Sequence, residues 1–122
     1  MSASEARVAL WFEPTPVGSK DWLQITLRPS IACRLEEICF SLDCWRSLTV
    51  ESVSIGSNLV LTEPTQPRQS ETGPSGWGAI IIADINVVSP AVMQPALDLT
   101  INVFNHSGAD VFLAGYIAAK PL

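Results

Sequence analysis

Between positions 96 and 122 the chain reads ALDLTINVFNHSGADVFLAGYIAAKPL, and its first part alternates with period two. Leu97, Leu99, Ile101 and Val103 share one face of an extended segment, while Asp98, Thr100 and Asn102 share the other, the mark of a half-buried strand. Residues 105–110 (Asn-His-Ser-Gly-Ala-Asp) then cluster turn formers, and a β-rich run follows over 111–119. The pattern predicts that the chain folds back here as an antiparallel hairpin. A lone ribbon with one apolar face is only marginally stable in water, so the residues before it must supply a covering sheet.

A chain of 122 residues is long enough for one domain around one core, and 48% hydrophobic against 16% charged residues is too apolar for disorder. We expect a single domain over 7–122 behind a mobile, polar N-terminal arm over 1–6. No run of eighteen apolar residues is present, which argues against membrane insertion. A mean hydropathy of +0.29 is high for a small soluble monomer and points to a homo-oligomer. The net charge is −5, and the bases Arg7, Lys20, Arg28, Arg34, Arg46, Arg68 and Lys120 are scattered singly. Nucleic-acid binding needs a concentrated positive face and is not expected. The opening MSASEARVALWF has neither the basic nor the long apolar region of a signal peptide, so synthesis in a cytoplasm is expected. In that compartment Cys33, Cys39 and Cys44 read as reduced, buried thiols.

Further strands are predicted at 7–12, stopped by Glu13-Pro14-Thr15-Pro16, and at 22–28, with Leu23, Ile25 and Leu27 inward and Gln24, Thr26 and Arg28 outward. Over 31–42 a helical stripe competes with a strand whose parity switches at Glu36-Glu37; strand is the preferred reading, with a bulge that could carry it from one sheet to the other. Residues 48–55 and 59–61 form a hairpin around Gly56-Ser57-Asn58. Three prolines and three glycines over 62–78 predict a long loop without a ladder, and such loops usually contact something. The run 79–88 is the most hydrophobic strand, with Ile80 and Ile82 opposite Ala79, Ile81, Ala83, Ile85 and Val87. A last crossing loop over 89–95 leads into the C-terminal hairpin. The sum is an all-β fold: a single antiparallel β-sandwich of seven to eight strands, jelly roll in preference to immunoglobulin-like.

No catalytic constellation emerges. The spacing of Cys33, Cys39 and Cys44 lacks the paired knuckles of a zinc site, and His106 stands alone in a turn, so neither metal, cofactor nor enzyme activity is expected. Glu36 and Glu37 on a strand would point to opposite faces and read as solvated charges or local salt bridges. Asn105-His106-Ser107 matches a glycosylation acceptor without a secretory context. Trp22 and Trp45 read as half-buried caps of the core at strand borders. Trp77, between Gly76 and Gly78 on the long loop, reads as a contact residue; with Trp11, Arg68, Ile80 and Ile82 it forms the expected protein interface. The alternative for Trp77 is a sugar-stacking position in a carbohydrate-binding module.

Arg28-Pro29, Cys33-Arg34-Leu35-Glu36, the segment Leu48-Thr49-Val50-Glu51-Ser52-Val53-Ser54-Ile55-Gly56-Ser57-Asn58, and the closing strand, turn and strand from Leu97 to Gly115 resemble small β-sandwich virion proteins of bacterial viruses. That resemblance implies a capsid or capsid-decorating subunit, located in the virion after synthesis in the host cytoplasm. It would act by contacts with itself and with other virion proteins, and it carries no catalytic residues.

Overall fold

The computed structural model describes residues 7–71 and 73–122; the arm expected over 1–6 lies outside them. Ten strands follow in order: β1 (Val8–Val17), β2 (Trp22–Leu27), β3 (Cys33–Phe40), β4 (Leu48–Ile55), β5 (Asn58–Leu61), β6 (Arg68–Gln69), β7 (Gly78–Ile81), β8 (Val92–Met93), β9 (Leu99–Asn105) and β10 (Val111–Pro121). Two antiparallel sheets form the sandwich. Sheet A runs β1-β10-β3-β7-β6, with β8 also pairing β3, and sheet B runs β2-β9-β4-β5. The two-residue strands β6 and β8 account for the excess over the expected number. Among the described residues no helix is long and apolar enough to cross a membrane.

The core lies between the sheets and follows the alternation. In sheet B the rows Leu23–Val103–Val50, Ile25–Ile101–Val53 and Leu27–Leu99–Ile55 face inward. In sheet A the facing row Phe12–Gly115–Phe40–Gly78 alternates large and small, and the two phenyl rings stand 5.9 Å apart. Glycine is required at 115, where a Cβ would lie 2.0 Å from the Cys39 carbonyl oxygen, and at 78, where it would lie 2.4 Å from the Trp45 indole. These rows form one cluster drawn from both sheets.

The C-terminal strands do not make a hairpin. β9 pairs with β2 and β4, β10 pairs with β1 and β3, and residues 106–110 carry the chain from one sheet to the other. Asn105 is the reason. Its side chain is fully buried, its Nδ2 donates to the carbonyls of Val17, Gly18 and Ala109 at 2.8–3.1 Å, and its Oδ1 accepts from the Ser107 amide and hydroxyl. It thereby ties this crossing to the parallel crossing between β1 and β2. The Asn105 amide donates to Asp21, and the Asp110 carboxylate accepts from the Ser19 amide. The burial of Asn105 also withdraws it as a glycosylation acceptor.

Other departures have local causes. β1 continues through Pro14 and Pro16 with a register shift between Phe12 and Thr15, because an edge strand can leave its outer donors unused. β3 is the bulged strand expected, with its register shift opposite Glu36, but it stays in sheet A. β4 carries a second bulge between Val50 and Ser52, so Leu48, Val50, Val53 and Ile55 all reach the core. The hydrophobic run after 78 is a strand only to Ile81 and then makes a 3-10 turn over Ile82–Asp84. The bulge in β3 ends the ladder there, and β8 takes over the same edge at Cys33 and Arg34. Ile80 and Ile82 are consequently core residues, 2% and 8% exposed, and offer nothing to a partner.

Candidate functional site

The outer face of sheet A is built on one row that crosses five strands: Trp11, Tyr116, Cys39, Ala79 and Arg68. Trp77 folds over this row from the 62–78 loop, with ring centroids 6.4 Å from Trp11 and 6.1 Å from Tyr116; Trp11 and Tyr116 themselves stand 4.7 Å apart. Three of the five expected interface residues, Trp11, Arg68 and Trp77, thus belong to one face. Trp11 and Arg68 are exposed, and Trp77 is half-buried within its aromatic cluster.

The described part of the loop is tied to both sheets. Thr65 exchanges backbone hydrogen bonds with Val50, β6 pairs with β7, and the Ser70 amide donates to the Trp77 carbonyl. Trp45 adds a tie, its indole N–H donating to the Gly76 carbonyl at 2.8 Å with Arg46 lying over its ring. Trp45 therefore packs as expected of a core cap. Trp22 does not: 57% of it is exposed.

Under this cover two outward-pointing side chains of β3 become interior. Glu37 is 2% and Cys39 0% exposed. Because the bulge at Glu36 breaks the alternation, Glu36 and Glu37 both reach one guanidinium, Arg7, whose Nε and Nη1 lie 2.9 and 3.0 Å from them. Burial foremost pushes the Cys39 thiol up to about 12, with the Tyr116 hydroxyl and the Glu37 carboxylate in hydrogen-bond contact with it. Burial likewise raises Tyr116 to about 12 and pushes Cys33 upward. At neutral pH these thiols stay protonated, and a protonated thiol is a poor nucleophile and metal ligand. All three cysteines are free and buried. Among the described residues no three His, Cys, Asp or Glu side chains converge as a metal site, and the His106 ring meets Gln66. Arg7, Glu37, Arg68, Glu71 and Asp84 line a cleft of about 800 Å3 between the loop and β7. Its charges are of both signs, and its deepest carboxylate, Glu37, is already engaged by Arg7.

The outer face of sheet B is unlike this. It is uncovered, and at one end it carries the Trp22 and Phe104 rings, 4.6 Å apart with their planes at 46°. Phe104 shares its parity with Thr100 and Asn102, which places it outward, but nothing in the sequence sets it beside Trp22. The pairing with Trp22 depends on cross-strand register, which alternation does not specify.

These features define an all-β protein of two packed antiparallel sheets with one covered and one bare outer face. No known family, curated protein or solved structure matches the chain.

Proposed function

We propose that the protein is a structural subunit that works by self-association, as a capsid or capsid-decorating component of a virion, and that the open edge of sheet A is its joining surface. The observation that carries this reading is the edge strand β1. Val8–Ala9–Leu10–Trp11–Phe12 is uncharged, lies at the end of the sheet order, and among the described residues pairs only with β10. Natural edges are guarded by lysines, prolines, bulges or covering loops, since unpaired backbone donors and acceptors recruit another strand. Here the guard begins only at Glu13-Pro14. Trp11, 61% exposed beside that edge, supplies the aromatic anchor that such contacts favour.

Pairing of two β1 edges would continue sheet A across a symmetric junction, and the aromatic row would extend the contact toward the roughly 1,000 Å2 that a stable interface requires. The viral setting rests on the sequence resemblance. Light scattering across a concentration series tests the reading, with wild type forming dimers or larger species. Ala9→Lys and Trp11→Lys, both on exposed outward positions, should yield monomers with unchanged far-ultraviolet circular dichroism. A wild-type chain that stays monomeric at its solubility limit would end the proposal.

A further inference from the structure

The bare face of sheet B is ordered as three rows across β2, β9 and β4: Trp22–Phe104–Thr49, Gln24–Asn102–Ser52 and Thr26–Thr100–Ser54. None of these nine side chains is charged, in a chain with seven bases and twelve acids. Apart from Glu51, the neighbouring charges are already occupied. Arg28 and Asp98, beyond the Thr26 row, pair with each other at 2.9 Å; the Lys20 ammonium donates to the His106 carbonyl, and the Asp21 carboxylate accepts from the Trp22 amide. Glu51 is the residue squeezed out of register by the β4 bulge.

The rows are rich in hydrogen-bonding capacity and spend little of it internally. Asn102 Nδ2 donates to Ser52 Oγ at 2.8 Å, and among the described residues the side chains of Gln24, Thr26, Thr49, Ser54 and Thr100 bond to no other protein group. Hydroxyls and carboxamides both donate and accept, which is the complement of a polyol. At the end of the face, Trp22 and Phe104 present apolar ring surface of the kind on which the C–H face of a pyranose packs. Strands lie about 4.8 Å apart, close to the length that one pyranose adds to an extended chain. A glycan crossing the strands would set one sugar ring on the exposed Trp22, which Phe104 backs, with its hydroxyl edge above Gln24, Asn102 and Ser52.

We infer that this face binds a neutral polysaccharide. The observations favour it over a protein partner: a dry contact would strip water from five unpaired polar side chains and recover it only if each were matched, whereas a glycan meets them directly or through shared water. Anionic polymers find no cation on the rows. The inference concerns a different sheet from the self-association edge and does not depend on it.

Native electrophoresis through gels containing galactomannan, xylan, hydroxyethylcellulose or amylose tests it. Wild type should be retarded by at least one of these polymers, with retention unchanged at high salt. Trp22→Ala should weaken retention about tenfold or more, and Asn102→Ala by a smaller factor. The Trp11→Lys variant, folded and altered only at the other sheet, should be retarded like wild type. Absence of retardation in every polymer overturns the inference, as does retention that survives Trp22→Ala or disappears with salt. If Trp22→Ala instead dissociates a self-associated species in light scattering, the face is a protein junction and the inference falls.

Discussion

The two outer faces of this sandwich start from the same period-two alternation and end in opposite states. On sheet A, outward-pointing Cys39 and Glu37 are buried: the Trp77 ring joins Trp11 and Tyr116 over the Cys39 row, and Arg7 reaches across to Glu37. On sheet B, outward-pointing Gln24 and Thr26 remain exposed, and solvent satisfies them. Covering a face changes what its side chains must do. Polar groups taken from water need internal partners, so Glu37 meets Arg7 and Cys39 meets Tyr116, whereas the hydroxyls of sheet B can stay unpaired at no cost.

The contrast requires that both faces belong to one clamped body, and Asn105 is the clamp. Asn105→Ala removes the donors to three main-chain carbonyls in a buried site. A stability loss of about 3 kcal/mol is expected in urea unfolding. Asn105→Asp should cost more, since it sets a carboxylate against the same carbonyl oxygens. If either variant unfolds like wild type, the two crossings are not held by this side chain.

The covered face should reveal itself in alkali. Cys39 and Tyr116 both titrate near 12 when folded, above their ordinary values of 9.0 and 10.0. The folded state then holds protons that the unfolded chain has released. Their contribution is fully present below pH 9 and is lost as the pH rises toward 12, with a slope of at most about 1.4 kcal/mol per pH unit for each group. Unfolding followed from pH 8 to 12 should show that decline, and Cys39→Ala should flatten it. A decline unchanged in Cys39→Ala would mean that the cover does not exclude water.

Arg7→Ala sharpens the same contrast more gently. It leaves the buried Glu37 carboxylate without its cation, but Arg7 is itself half in solvent, so about 1 kcal/mol is expected. Glu37→Gln in the same background should recover part of that loss. Full additivity of the two changes would show that the pair is not coupled.

Alternation made the inward rows of β2 and β9 legible, and the parity break at Glu36-Glu37 revealed the bulge in β3. It could not say which strand lies beside which. A strand with one apolar face fits equally well next to its sequence neighbour or across the core from it, and the hydrogen bonds that hold residues 105–110 to the β1–β2 crossing, those of Asn105 foremost, keep β9 and β10 apart. For the same reason Trp11, Arg68 and Trp77 were recognisable as surface residues without their common row being visible. Ile80 and Ile82 look two-faced when the run 79–88 is read as one strand; the ladder they would extend ends at the β3 bulge. Cys39 is buried as the sequence leads one to expect, but on the outer side of its sheet, under Trp77 from a loop whose composition suggests solvent.

The smallest effect should come from the bare face, and its smallness is informative. Asn102→Ala deletes the 2.8 Å bond to Ser52, yet both partners are only half-buried and water can replace the bond, so about 0.5 kcal/mol or less is expected. Thr100→Ala, which removes no internal bond, should be still closer to zero. If this face were instead a tightly packed junction between copies, the same truncations would open cavities or strand buried hydroxyls in the assembled state, and the losses would grow with protein concentration. Unfolding midpoints measured at two concentrations separate these cases: independence for both variants keeps the face as one that meets water or a hydrated ligand, and concentration dependence removes the difference between the two sheets.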